Sequence, residues 1–83
     1  MTFTSTQLNA KAQKEMKYNI VNFDDDTVLD IHLTLVRVQK TPKNRSTLRA
    51  MKVELALHFG RENIRHRELE AYLAKPENMV RLF

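Results

Sequence analysis

Arg37, Lys40, Lys43, Arg45 and Arg49 place five cations within thirteen residues, and the stretch Lys40 to Thr47 among them is polar and interrupted by Pro42. Cations at this density suit the phosphates of a nucleic acid, because each contact releases condensed counterions and makes affinity fall with salt. A second group, Arg61, Arg65, His66 and Arg67, opens a stretch of helical composition, where the positive end of a helix dipole would add to the side chains. Plainer accounts exist for both groups. The first can be a solvated loop, and in the second Glu62, Glu68 and Glu70 can pair with the arginines to leave an ordinary helix surface. The residues expected to touch nucleic acid, DNA or RNA, are thus Arg37, Lys40, Lys43, Arg45, Arg49, Arg61, Arg65 and Arg67.

Three further sets have chemistry to offer. Met79, Val80, Leu82 and Phe83 make the closing residues unusually apolar. Such a segment either folds back over an edge or a core, or docks into another protein as a short amphipathic anchor, which makes these four the expected protein-binding residues. Asp30, His32 and His58 would share the polar face of a sheet and offer a carboxylate and two imidazoles to a divalent ion, although an exposed ion pair beside a surface histidine explains them as well. No metal and no other cofactor is expected. For catalysis there is no cysteine, no glycine-rich phosphate loop and no Gly-x-Ser-x-Gly, so a non-enzymatic protein is expected.

The elements that must position these residues are read from periodicity. Leu29, Ile31, Leu33 and Leu35 alternate with polar neighbours, as do Met51, Val53, Leu55, Leu57 and Phe59. Alternation of period two predicts strands with one buried face, and folding about Asn44 sets the two rows opposite each other. Lys17 to Phe23 has strand composition and joins the same face through a turn at Asp24–Asp26. The expected fold is therefore α+β: a short helix over Thr4 to Lys14, a three-stranded antiparallel β-meander whose basic hairpin tip is Lys40–Thr47, and a C-terminal helix over Glu62 to Ala74 packed on one face. Gly60 would close the third strand, and Pro76 would open a last short turn. The order helix, three strands, helix resembles in topology that of double-stranded-RNA-binding domains, whose last helix begins with a lysine-rich run that Arg61–Arg67 does not reproduce.

An all-α alternative stands beside it, a four-helix arrangement with a helix-turn-helix-like segment over 47–73. Ser46 can cap a helix over 47–59 and Gly60 can end it, with Ala56 and Gly60 spaced four apart. Such a helix would carry Leu48, Met51, Leu55 and Phe59 on one side and Ala50, Val53 and Leu57 on the other, two opposed apolar faces that are awkward to bury in a small domain.

Composition bounds the rest. Eighty-three residues make one small domain, 1–83, with 42% hydrophobic and 29% charged residues. No apolar run approaches the ~18 residues that a membrane span needs, and the first residues lack a secretory pattern, so a soluble chain without a membrane partner is expected. Absence of cysteine excludes disulfides and makes the cytoplasm the expected compartment. The net charge of +4 is uneven: residues 1–36 hold three lysines against five acids, and residues 37–83 hold eleven Lys or Arg against five Glu. A core of this size is marginal, which points to a homodimer in contact through Val36, Val38 and Ala50. The expected function is a nucleic-acid-binding accessory or regulatory protein. The alternative is a small adaptor or inhibitor of the kind phages and mobile elements encode, acting on an acidic protein surface through the basic face and the apolar tail.

Overall fold

A computed structural model describes residues 19–83 and is built from four helices: α1, Asp26–Leu35; α2, Pro42–Phe59; α3, His66–Leu73; and α4, Pro76–Met79. No strand occurs among the described residues, and the α+β meander is overturned in favour of the all-α arrangement. The expected helix over Thr4 to Lys14 lies outside the described residues. Of the expected first strand, Ile20 makes an isolated antiparallel bridge with Arg65, and the Val21 N–H donates to the Ile64 carbonyl at 2.8 Å.

The physical reason for the correction lies in the two faces of α1 and α2. Leu29 and Leu33 of α1 are fully buried, whereas Ile31 and Leu35, which alternate with them, are 55% and 62% exposed. In α2, Leu48, Met51 and Leu55 point inward while Val53 and Leu57 point out. Residues drawn alternately from the two sides of a helix read as period two when only every second position is apolar. The cost of exposing the outer face did not prevent the helix.

Local chemistry fixes the helix ends. Asp25 caps α1, its Oδ1 accepting from the Thr27 N–H at 2.9 Å, and Asp26 adds negative charge to the first turn. The helix stops where Arg37 takes a left-handed conformation (φ 61) and the Val38 N–H returns to the Leu33 carbonyl at 3.1 Å. Thr41 caps α2 by accepting from the Asn44 N–H at 3.1 Å, and Pro42 occupies the first turn, where its missing N–H costs nothing. So the polar stretch expected as a hairpin tip is instead a helix start, four residues before the Ser46 cap of the all-α alternative. Gly60 ends α2 with φ 69, and the Gly60 and Arg61 N–H groups both donate to the Ala56 carbonyl. Six residues, Gly60 to Arg65, then lead to α3, more than the three or four of a helix-turn-helix connection. α3 starts at His66, later than Glu62, where the Arg65 N–H donates to Glu68 Oε1 at 2.8 Å.

Packing is antiparallel between α1 and α2, and charge records it. Arg45 grips Asp30 with both Nε (2.8 Å) and Nη2 (3.1 Å), and Arg49 reaches Asp26 at 2.7 Å, so a spacing of four on one helix answers a spacing of four on the other. Arg49 also donates from Nε to the Phe23 carbonyl at 2.9 Å, holding the entering chain. Between the helices sit Leu29, Leu33, Leu48, Met51 and Leu55, joined by Ile64, Leu69 and Leu73 from the other end and by Leu82 beneath α4. Each such side chain contributes roughly 1.5–3 kcal/mol on burial. Val36 and Val38, expected at a contact between copies, pack partly buried against this core, whereas Ala50 is exposed.

Candidate nucleic-acid interface

The eight cations expected in two groups, five at a hairpin tip and three at a helix start, are divided by the fold into three dispositions. Arg45, Arg49 and Arg61 are committed within the chain, to Asp30, Asp26 and Glu68 respectively. Arg37, Lys40 and Lys43 are exposed around the start of α2, where the Lys43 ammonium stands 4.3 Å from the centre of the Phe83 ring. Arg65 and Arg67 stand at the start of α3, about 24 Å away along α2 given its 1.5 Å rise per residue. The continuous basic ribbon therefore does not form. Its charge asymmetry has a different origin: acids of the first half and arginines of the second meet across the α1–α2 seam.

The apolar tail is likewise placed against the chain itself. Leu82 is buried, Met79 half-buried, and Arg81 clamps Glu54 through Nη1 (2.9 Å) and Nη2 (2.7 Å). The Phe83 N–H donates to Asn44 Oδ1 at 3.1 Å, while Asn44 Nδ2 donates to the Gln39 carbonyl at 2.7 Å. Val80 and Phe83 keep exposed side chains.

Asp30, His32 and His58 are not brought together. Asp30 is held by Arg45, His58 sits edge-on to Phe59 at 4.9 Å, and His32 is buried with its Nε2 2.8 Å from His66 Nδ1. Among the described residues no group of three or more potential ligands is close enough to hold a metal ion. The His32 and His66 rings stack at 5.0 Å, and the other ring nitrogen of His32, Nδ1, has no partner. Burial lowers the His32 pKa, the neighbouring His66 lowers it further, and Glu70 opposes both.

What the fold does assemble is a groove of about 350 Å³ between the second half of α2 and α3. Glu54, His58 and Phe59 line it from α2, Arg67, Glu68 and Tyr72 from α3, and Lys75 closes its end. Its two acids already have partners. Hydrogen bonds from Arg81, then from the Tyr72 hydroxyl, hold the Glu54 carboxyl below its usual range, and Arg61 with the Arg65 N–H pulls Glu68 down to about 2. Glu54 in turn raises the Tyr72 hydroxyl. Arg67 and Lys75 form no ion pair among the described residues, which leaves the groove with uncommitted positive charge. Two aromatic rings stand in it: Phe59, with the Arg61 guanidinium 4.7 Å from its centre, and Tyr72, with the Lys75 ammonium at 5.7 Å.

Of the groove's lining the sequence had singled out Arg67 as a nucleic-acid contact and His58 only as part of a metal cluster with Asp30 and His32. His58, Phe59, Tyr72 and Lys75 were missed as a site because they converge only once α2 is a helix and α3 packs beside its last turns. Comparisons with protein-family models, with curated proteins and with solved structures found no match to this chain.

Proposed function

We propose that this chain is a non-enzymatic nucleic-acid-binding protein of an accessory or regulatory kind that takes a single-stranded segment into the α2–α3 groove. One observation carries the reading: Arg67 and Lys75, free of ion pairs among the described residues, stand beside Phe59 and Tyr72 in one concave surface. Backbone phosphates suit the cations and an unstacked base suits an aromatic face, the combination used where single strands are bound with little regard to sequence.

Titration of a labelled oligonucleotide tests it. Binding in the micromolar range at low salt is expected, with a log–log salt slope of about −1.4 for two phosphates on a single strand. Replacing Arg67 and Lys75 together by Ala should weaken binding at least ~10-fold without changing the circular-dichroism spectrum, since each cation lost removes one phosphate contact. Arg45→Ala, which empties an intrachain pair, should lower the melting temperature instead. Absence of binding to single-stranded or duplex DNA and RNA at low salt removes the reading.

The adaptor reading keeps a specific observation of its own, the exposed apolar residues Val53 and Leu57 on α2. Its contact surface is then that helix face more than the tail, because Leu82 and Arg81 are engaged by the chain itself.

A further inference from the structure

The outward face of α2 repeats with a spacing of four, three, four and three: Ser46, Ala50, Val53, Leu57 and Gly60, all exposed and all opposite the buried Leu48, Met51 and Leu55. Val53 is 59% exposed and Leu57 80%. That spacing is the seam along which two helices pack knobs into holes. An open hollow of about 520 Å³ runs beside it, bordered by Lys52, Ala56, Arg61 and Glu62. A lone surface leucine needs no explanation, but a heptad-spaced row is a contact pattern.

We propose that this face joins two copies of the chain, with their α2 helices antiparallel about a two-fold axis that crosses the seam midway between Val53 and Leu57. Two properties select a second copy, and this direction, over other occupants. The first is shape. Setting Val53 of one protomer against Leu57 of the other brings Ala50 against Gly60 at both ends, so the large residues meet at the middle and the small ones let the helix ends approach. A Cβ built at Gly60 would meet nothing within 4 Å, which marks that end as open. The second is charge. Glu62 forms no ion pair among the described residues, and it lies on the same flank of the seam as Lys52 and Arg49. The antiparallel register lays Glu62 beside Lys52 of the other protomer, and the two-fold repeats the match. A parallel pairing would instead set Val53 on Val53 and Leu57 on Leu57, and would leave Glu62 and Lys52 of the two protomers on opposite sides of the seam with no such match. Glu54, on the opposite flank near the axis, brings Arg81 as its own counter-ion.

A two-fold perpendicular to α2 keeps both α3 flanks on one side of the pair. The two cationic grooves then open in the same direction, although the dimer does not depend on what they bind.

Sedimentation of the full chain tests the proposal. A reversible shift from one-chain to two-chain mass is expected with a midpoint on the order of 100 µM, as suits a small interface. Leu57→Asp should leave a monomer over the same range with unchanged circular dichroism and melting, because the side chain it replaces packs on nothing essential in its own chain. Since the chain has no cysteine, single substitutions report the direction: mixed Val53→Cys and Leu57→Cys chains should cross-link to each other faster than either does to itself. A chain that stays monomeric overturns the proposal and leaves the face to a different protein or to residues 1–18. So does a Leu57→Asp chain that pairs as the unaltered one does, or a preference for Val53→Cys homodimers.

Discussion

His32 and His66 can share their hydrogen bond only while one of the two facing nitrogens lacks a proton. Donation from His32 Nε2 leaves its buried Nδ1 as a bare lone pair, whereas the other tautomer would bury an N–H with no acceptor, so the first arrangement costs less. A proton added to His66 Nδ1 sets two donors against each other, and one added to His32 charges a ring that is 2% exposed. Because the folded pKa of His32 lies below that of an unfolded histidine, near 6.5, the unfolded chain takes up the proton first. Stability is therefore present above about pH 6.5 and lost as the pH falls through that value toward the lower folded one. The melting temperature should drop between about pH 7.5 and 5, and His32→Leu should flatten that slope. A melting temperature that holds constant over this range contradicts the argument.

At the scale of elements, the tail belongs to the core: α4 turns the chain so that Leu82 enters beneath the helices while Val80 faces out. Leu82→Ala should cost ~2–4 kcal/mol in chemical denaturation, whereas Val80→Ala should stay within about 0.5 kcal/mol of the unaltered chain. Equal effects would mean that the tail does not pack as described. The same scale shows what could be read from the sequence. Gly60 as a stop, Pro76 as a start and a C-terminal helix within Glu62 to Ala74 were legible, because caps and turns are local. Between residues 27 and 59 the type of element was not. Ile31, Leu35, Val53 and Leu57 sit on outer faces yet are as apolar as the residues inside, and period two absorbed both sets. The cue that favoured a helix was Thr41-Pro42, a cap followed by a residue suited to a first turn, which reads equally as the polar tip of a hairpin until the helix is known to begin there. The groove was illegible for a related reason, since Phe59 and Lys75 are brought together only by the packing of α2 against α3.

For the whole molecule, three carboxyl groups carry the acid response: Asp30 held down by Arg45, Glu54 by Arg81, and Glu68 by Arg61 to about 2. Each has a folded pKa below its unfolded one, so its contribution is present above the ordinary carboxylate range and lost as the pH falls through that range. A second loss of stability, distinct from the histidine step, should therefore appear below about pH 4.5 and extend toward pH 2. Arg61→Gln should shrink this second step and leave the first in place, as followed by melting at each pH. Of these pairs, 30 to 45 joins the two halves of opposite charge, whereas 54 to 81 and 61 to 68 close the second half on itself.

The amide of Phe83 bound to Asn44, with its ring beside Lys43, moors the last described residue to the first turn of the longest helix. A domain joined after Phe83 would thus leave at a fixed bearing instead of swinging on a loose leash, and loosening that mooring by Asn44→Ala would set the same cargo free to tumble.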